Sequence, residues 1–304
     1  MQTAAKTATP RPGPPQISRI AVGVDGFREG NDAIALGATL ARATGAELAL
    51  VAVHSEPLVL PPVGLNWKTL RTDTQAMLRK ARSSLAPDAR LIVERDVSVP
   101  RALQRVVHRE HRDLLVMGSS RHGPEGKVRI GKRTRQLLGQ FEFPLAVAPR
   151  GYHKGPDRQL MRIGVGYDGG TESQAALELA ASIALAAGAR LSVQAVVDDR
   201  LPPIWWSGAN VGATTELEDV ISDEVKQRRA ATQSAAAATG APAGIDVARG
   251  RPADALLELS DHIDLLVIGS RRWGQMTRLL LGSTGEALLH DGACPVLVVP
   301  RPPA

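Results

Sequence analysis

One pattern of strands and helices is written twice along this 304-residue chain, and any fold must accommodate both copies. Ile20-Ala21-Val22-Gly23-Val24-Asp25-Gly26 returns 143 positions later as Ile163-Gly164-Val165-Gly166-Tyr167-Asp168-Gly169. Asp113-Leu114-Leu115-Val116-Met117-Gly118 returns 151 positions later as Asp264-Leu265-Leu266-Val267-Ile268-Gly269, so the second copy carries eight more residues in its middle. So long a period is a duplicated domain, beyond the roughly 20–50 residues of solenoid repeats. Each copy is long enough to bury a core of its own. The division is a tail over 1–16, a first domain over 17–150, a linker over 151–161 and a second domain over 162–304.

Within the first copy the spacing predicts strands over 19–24, 48–53, 91–97, 114–117 and 145–148, separated by helices over 32–44, 68–84, 101–111 and 133–138. The second repeats the order, with helices over 177–187, 216–238 and 253–260 and strands over 163–167, 191–196, 245–247, 265–268 and 296–299. Alternation of this kind predicts an α/β fold of two tandem open-twisted parallel five-stranded sheets, with helices on both faces and right-handed crossovers. The final strands are short and apolar and end at Pro149 and Pro300. Alone, each would expose unpaired backbone groups, so the two are expected to pair within the chain, with a homodimer left open.

Hydrophobic residues make up 43% of the chain and aromatics 3%, so the cores must be built from Ala, Val, Leu and Ile. The net charge of +6 is concentrated by Arg121, Lys127, Arg129, Lys132, Arg133 and Arg135, with Glu125 the sole acid among them. No aromatic residues interleave to stack bases, which argues against nucleic acid and for phosphates or a solvated loop. The single cysteine, Cys294, excludes an internal disulfide and a Cys-based metal cage, and its neighbours suit a small buried hydrophobe. No apolar run approaches the roughly 18 residues needed to span a bilayer. The first 16 residues are rich in Thr, Ala and Pro without an apolar stretch, which reads as a disordered tail, and a cytoplasmic location is expected.

In open parallel sheets ligands bind beyond the carboxyl ends of the strands. Asp25 and Asp168 end the first strand of each copy, where a carboxylate can accept hydrogen bonds from a nucleoside or serve the turn. Thr171 and Gln174 have capping-box spacing, which would release Asp168 from the turn role. After the fourth strand, Gly118 and Gly131, and again Gly269 and Gly282, stand 13 positions apart. Paired glycines admit phosphate oxygens to the backbone, and the second opens a helix, with Ser283 and Thr284 adding hydroxyls in the second copy. Pro61-Pro62 with Trp67, and Pro202-Pro203 with Trp205-Trp206, can form lids or pack on the sheet edge.

On these residues the chain resembles a tandem universal stress protein over about 19–150 and 162–301. The loop of that family's ATP-binding branch reads Gly, two residues, Gly, nine residues, Gly, then Ser or Thr. Gly269, Arg272, Gly282 and Ser283 stand at those places in the second copy, and Gly118, Arg121, Gly131 and Lys132 in the first. Arginine thus replaces the middle glycine in both, and lysine the hydroxyl in the first. By the same resemblance Asp25 and Asp168 match the nucleotide-binding aspartate, Val53 and Val196 lie near the adenine contact, and Met117 and Ile268 match the apolar residue before the loop. The resemblance implies a stress-related regulator that binds ATP, with Mg2+ as the nucleotide's counter-ion, and hydrolyses it slowly or not at all. No catalytic set can be assembled from the placed residues. Gly170 leaves room beside Asp168 where the first copy has Phe27, so the second copy is expected to be the better site. Two other readings stand beside this one. The first is a nucleotide-free module that docks a partner protein. The second is an ATP pyrophosphatase-like enzyme, because Asp168-Gly169-Gly170-Thr171-Glu172-Ser173 faintly resembles a Ser-Gly-Gly-x-Asp-Ser loop, without its leading Ser and its Asp.

Overall fold

A computed structural model describes residues 15–25, 28–55, 67–139, 142–155, 158–199, 212–270 and 282–301. In the first half, β1 (Arg19–Val24) pairs in parallel with β2 (Glu47–Ser55) and β4 (Leu114–Gly118). Outside them lie β3 (Arg90–Asp96), on β2, and β5 (Leu145–Ala148), on β4. The second half repeats this with β6 (Arg162–Gly166), β7 (Arg190–Val197), β8 (Ala243–Arg249), β9 (Leu265–Gly269) and β10 (Val296–Val299). Register repeats with sequence: Arg19 lies opposite Glu47, and Arg162 opposite Arg190.

The halves meet through their last strands. Leu145, Ala146 and Val147 of β5 lie antiparallel to Val298, Leu297 and Val296 of β10, and none of the six is more than 1% exposed. Two five-stranded sheets therefore become one of ten strands, in the order β3-β2-β1-β4-β5-β10-β9-β6-β7-β8. The inner strands β4, β5, β9 and β10 are apolar almost without interruption because both faces are covered, whereas the outermost β3 and β8 carry charged residues. Successive side chains point to opposite faces, so Ile20 and Val22 enter one core and Ala21 the other. Each core runs across both halves. The first takes in α1 (Arg28–Thr44), α2 (Trp67–Leu85), α5 (Thr171–Ala187) and α6 (Gly212–Ala237). The second takes in α3 (Val99–Arg109), α4 (Lys132–Leu138), α7 (Pro252–Ser260) and α8 (Ser283–Asp291).

Some boundaries differ from expectation for local reasons. α3 begins two residues early because Pro100 falls in the first helical turn, where its missing N–H costs nothing. It ends early because His111 turns left-handed, at φ 49°. α5 begins at Thr171, six residues before its first expected residue, and Gly170 rather than Thr171 is its N-cap, so the capping box is not formed. Cys294 is 4% exposed, and burial pushes its thiol up to about 12. The linker is clipped down: Gly151 N–H and His153 N–H each donate to the buried Asp32 carboxylate of α1 at 2.9 Å, and Tyr152 enters the first core. Among the described residues no helix is long and apolar enough to cross a membrane.

Candidate functional site

Each half opens a cavity at the carboxyl ends of its first and fourth strands, as the topology requires where the strand order reverses. The cavity of the first half measures about 620 Å³. Its floor is Gly23, Val51 and Val53 on the strands and Leu103 on α3. A methyl group at Gly23 would stand 2.5 Å from the Met117 sulfur, so that glycine lets Met117 lie across the strand end. Asp25 stands exposed at one side. Gly131 caps α4, and Lys132 and Arg133 line the wall with Arg121 and His122 of the preceding loop. Asp25, Val53, Met117, Gly118, Arg121, Gly131 and Lys132 are thus brought together as expected.

The equivalent cavity in the second half is about 130 Å³. Asp168, Val196, Ile268, Gly269, Gly282 and Thr284 line it, while Ser283 opens α8 outside its lining. Arg272 lies outside the described residues, as do Phe27, Pro61, Pro62, Pro202, Pro203, Trp205 and Trp206, together with the side chain of Trp67. Among the described residues, three pairs of positions contribute to the contraction. Where the first half has Val24, Gly30 and Val51, the second has Tyr167, Ser173 and Gln194, each larger and each against the cavity. Ligand sites generally need about 300–1,000 Å³, a range that includes the first cavity and excludes the second.

The aspartate of the second half closes a turn. Asp168 Oδ1 accepts Gly170 N–H at 2.9 Å and the Ser173 hydroxyl at 2.7 Å, closing the turn into α5. This is the turn role that the capping-box spacing had argued against. Gly30 offers no hydroxyl to Asp25, and a methyl group there would already stand 3.3 Å from Asp25 Oδ1. Tyr167 is half-buried, and burial, followed by the charge of Asp168, raises its phenol above the usual range. It therefore remains a donor, and its hydroxyl reaches Gln174 Oε1 at 3.3 Å. Gln194 is held by Asp246, to which its Nε2 donates at 2.9 Å. Gly269 serves packing: a methyl group there would lie 2.5 Å from the Glu172 carbonyl carbon and 2.7 Å from Ser173 N, because α5 starts directly on the end of β9.

Charge separates the halves further. Residues 17–150 hold 21 Lys and Arg against 13 Asp and Glu, net +8, whereas 162–304 hold 12 against 17, net −5. The six basic residues of the first-copy loop do not act together, however. Arg121, Lys132 and Arg133 face the cavity. Lys127, Arg129 and Arg135 reach across the seam to Asp261, His290 and Glu286. Their partners lie more than 100 positions away in sequence, which is why the run alone suggested six phosphate ligands. Among the described residues, no three His, Cys, Asp or Glu side chains group to hold a metal. Sequence reasoning missed Gly30, Val51, Tyr167, Ser173 and Gln194, although the 143-residue shift aligns them as pairs with Ser173, Gln194 and Val24.

Comparison with known proteins agrees with this architecture. The model of the universal stress protein family matches residues 16–149 and 160–300. A universal stress protein of Mycobacterium tuberculosis is 26% identical over 294 residues, covering 92% of this chain and 96% of the relative. One of Thermus aquaticus is 30% identical over 140 residues, 44% of this chain and 93% of that protein. Among solved structures, a universal stress protein of Archaeoglobus fulgidus shares the fold at a TM-score of 0.67 and 17% identity, over 93% of this chain and 98% of that one. A functionally unknown protein of Pseudomonas aeruginosa does so at 0.64 and 18%, over 94% and 93%. With the duplicated sheet, the two strand-end cavities and a family match in each half, the chain belongs to the universal stress protein family, as a member with two domains in tandem.

Proposed function

We propose that this stress-related protein is a regulator that binds one adenine nucleotide, ATP with its Mg2+ counter-ion, in the cavity of the first half. The observation that carries the reading is the 620 Å³ cavity lined by the Asp25 carboxylate together with Lys132 and Arg133. Among the described residues, neither Lys132 nor Arg133 forms an ion pair, so both charges are available to a polyphosphate. Arginine and lysine supply donors only and suit phosphate oxygens, while the Asp25 carboxylate is an acceptor suited to ribose hydroxyls or an exocyclic amine. Val51, Val53, Leu103 and Met117 give the base an apolar slot between them. This inverts the sequence expectation, which favoured the second half on the contrast between Gly170 and Phe27 and did not weigh Tyr167, Ser173 and Gln194. In this reading the second cavity holds no nucleotide.

Heat extraction of the purified protein, with analysis of the released small molecules, and ATP calorimetry at two salt concentrations test it together. The expected outcome is one ATP per chain, bound more weakly as salt rises, because Lys132 and Arg133 are solvent-accessible charges. Two equivalents per chain would return a role to the second cavity. No extracted nucleotide and no heat of binding would favour the partner-docking module instead.

A further inference from the structure

The loop that carries the first half's cavity wall is built against the second half. Within itself the loop is short-bonded: Ser120 N–H donates to Arg129 O at 2.6 Å, and the Ser119 hydroxyl accepts Arg129 N–H at 3.0 Å while donating to Ala148 O at 2.7 Å. Its next contacts cross the seam. Val128 N–H donates to Gly292 O at 2.7 Å and Ile130 N–H to Leu289 O at 3.0 Å. The last carbonyls of a helix lack partners within it, so the end of α8 and this loop complete one another. The Val128 side chain is fully buried in the same core as Leu288, Leu289 and Cys294. Between the two backbone bonds, Arg129 Nε lies 3.2 Å from His290 Nε2, with Nη2 on the same atom. Lys132 and Arg133 follow Ile130 by two and three residues, so a displacement at the anchor reaches them directly.

We propose that the second half is the anchor that sets the anion-binding wall of the first, with His290 as a positioning residue held as a neutral acceptor. The inference rests on the reading that the first cavity takes a nucleotide. A guanidinium has no acceptor, so a ring nitrogen receiving two of its N–H groups must carry a lone pair. The ring proton then sits on Nδ1, which Asp291 Oδ2 faces at 2.9 Å. Protonation would turn an N–H toward Arg129 and replace attraction by repulsion between like charges. The charged groups around the ring are Arg129 from the loop, Asp291 on its own helix, and, one turn earlier, Glu286 with Arg135 of α4 at 3.7 Å. A contact in one half thus tunes a site in the other.

The test uses the full chain and two readouts, ATP affinity and hydrogen exchange of the Val128 and Ile130 amides. His290→Gln keeps a neutral acceptor and is expected to match the unsubstituted protein in both. His290→Lys copies the protonated ring and is expected to weaken ATP roughly tenfold, within the usual range of site-to-site coupling, and to speed exchange at both amides. Unchanged exchange in His290→Lys overturns the anchor. Faster exchange with unaltered ATP affinity overturns the positioning role. If the unsubstituted chain binds no ATP, the nucleotide reading falls, and the exchange data alone still decide whether His290 holds the loop.

Discussion

The two halves of this molecule share strand register, helix order and core, yet their cavities differ nearly fivefold in volume, about 620 against 130 Å³. Among the described residues, three pairs of side chains contribute to the difference. Val24, Gly30 and Val51 leave space in the first half where Tyr167, Ser173 and Gln194 occupy it in the second. Ser173 also bonds the aspartate that would otherwise face a ligand. The two copies keep one backbone while their cavities part, because the sheet depends on apolar burial and the cavity on side-chain volume at a few strand-end and helix positions.

The strongest way to break this comparison is to give the first cavity the second's residues. Val24→Tyr, Gly30→Ser and Val51→Gln together are expected to weaken ATP by roughly 100-fold or more in calorimetry, since the space falls below the size that encloses a nucleotide. Circular dichroism would confirm that the fold persists, and retained binding would mean that volume is not what separates the halves. Next in size is the loss of charge. Lys132→Ala with Arg133→Ala is expected to cost roughly tenfold to a hundredfold in ATP affinity, discounted for their exposure, and to flatten its salt dependence. Ser283→Ala with Thr284→Ala should leave both unchanged.

A crossed pair of substitutions sharpens the contrast between the aspartates. Asp25→Ala is expected to weaken ATP about tenfold. Asp168→Ala should leave ATP binding intact and lower stability by about 1 kcal/mol, because Gly170 N–H and the Ser173 hydroxyl lose their acceptor at the start of α5. The smallest effect concerns Cys294. Burial raises its pKa to about 12, so thiolate is scarce at neutral pH and grows as pH rises toward that value. At pH 8 roughly one thiol in ten thousand is ionised, and alkylation should proceed only through opening of the structure. Labelling should be faster in Asp168→Ala than in the unsubstituted protein. Equal rates would remove the structural role from Asp168.

Much of the fold was legible because its signals are local or repeated. Ile20 to Val24 and Ile163 to Tyr167 read as strands from their apolar runs, and the proline-ended strands that form the seam announced themselves as edges needing cover. The cavity wall was less legible. Thr171 and Gln174 have the spacing of a capping box, but the carboxylate of Asp168, three residues earlier, closes the turn and leaves Gly170 as the cap. The basic loop read as one patch because Asp261, Glu286 and His290, which take half its charge, belong to the other copy. Val51 and Gln194 were visible as a mismatched pair, but nothing in a strand pattern says which of two buried faces overlooks a ligand.

The β5–β10 seam has one more implication. When two such sheets meet as separate identical chains, every substitution appears twice, so a change that seals one cavity seals both. Written into a single polypeptide, the same seam removes that obligation. One face of the pair can accumulate Tyr167, Ser173 and Gln194 while the other keeps Val24, Gly30 and Val51, and a helix end can specialise as a support for its neighbour's loop. Covalent linkage has made an enforced symmetry optional, and the two halves have diverged in the side chains that line their cavities.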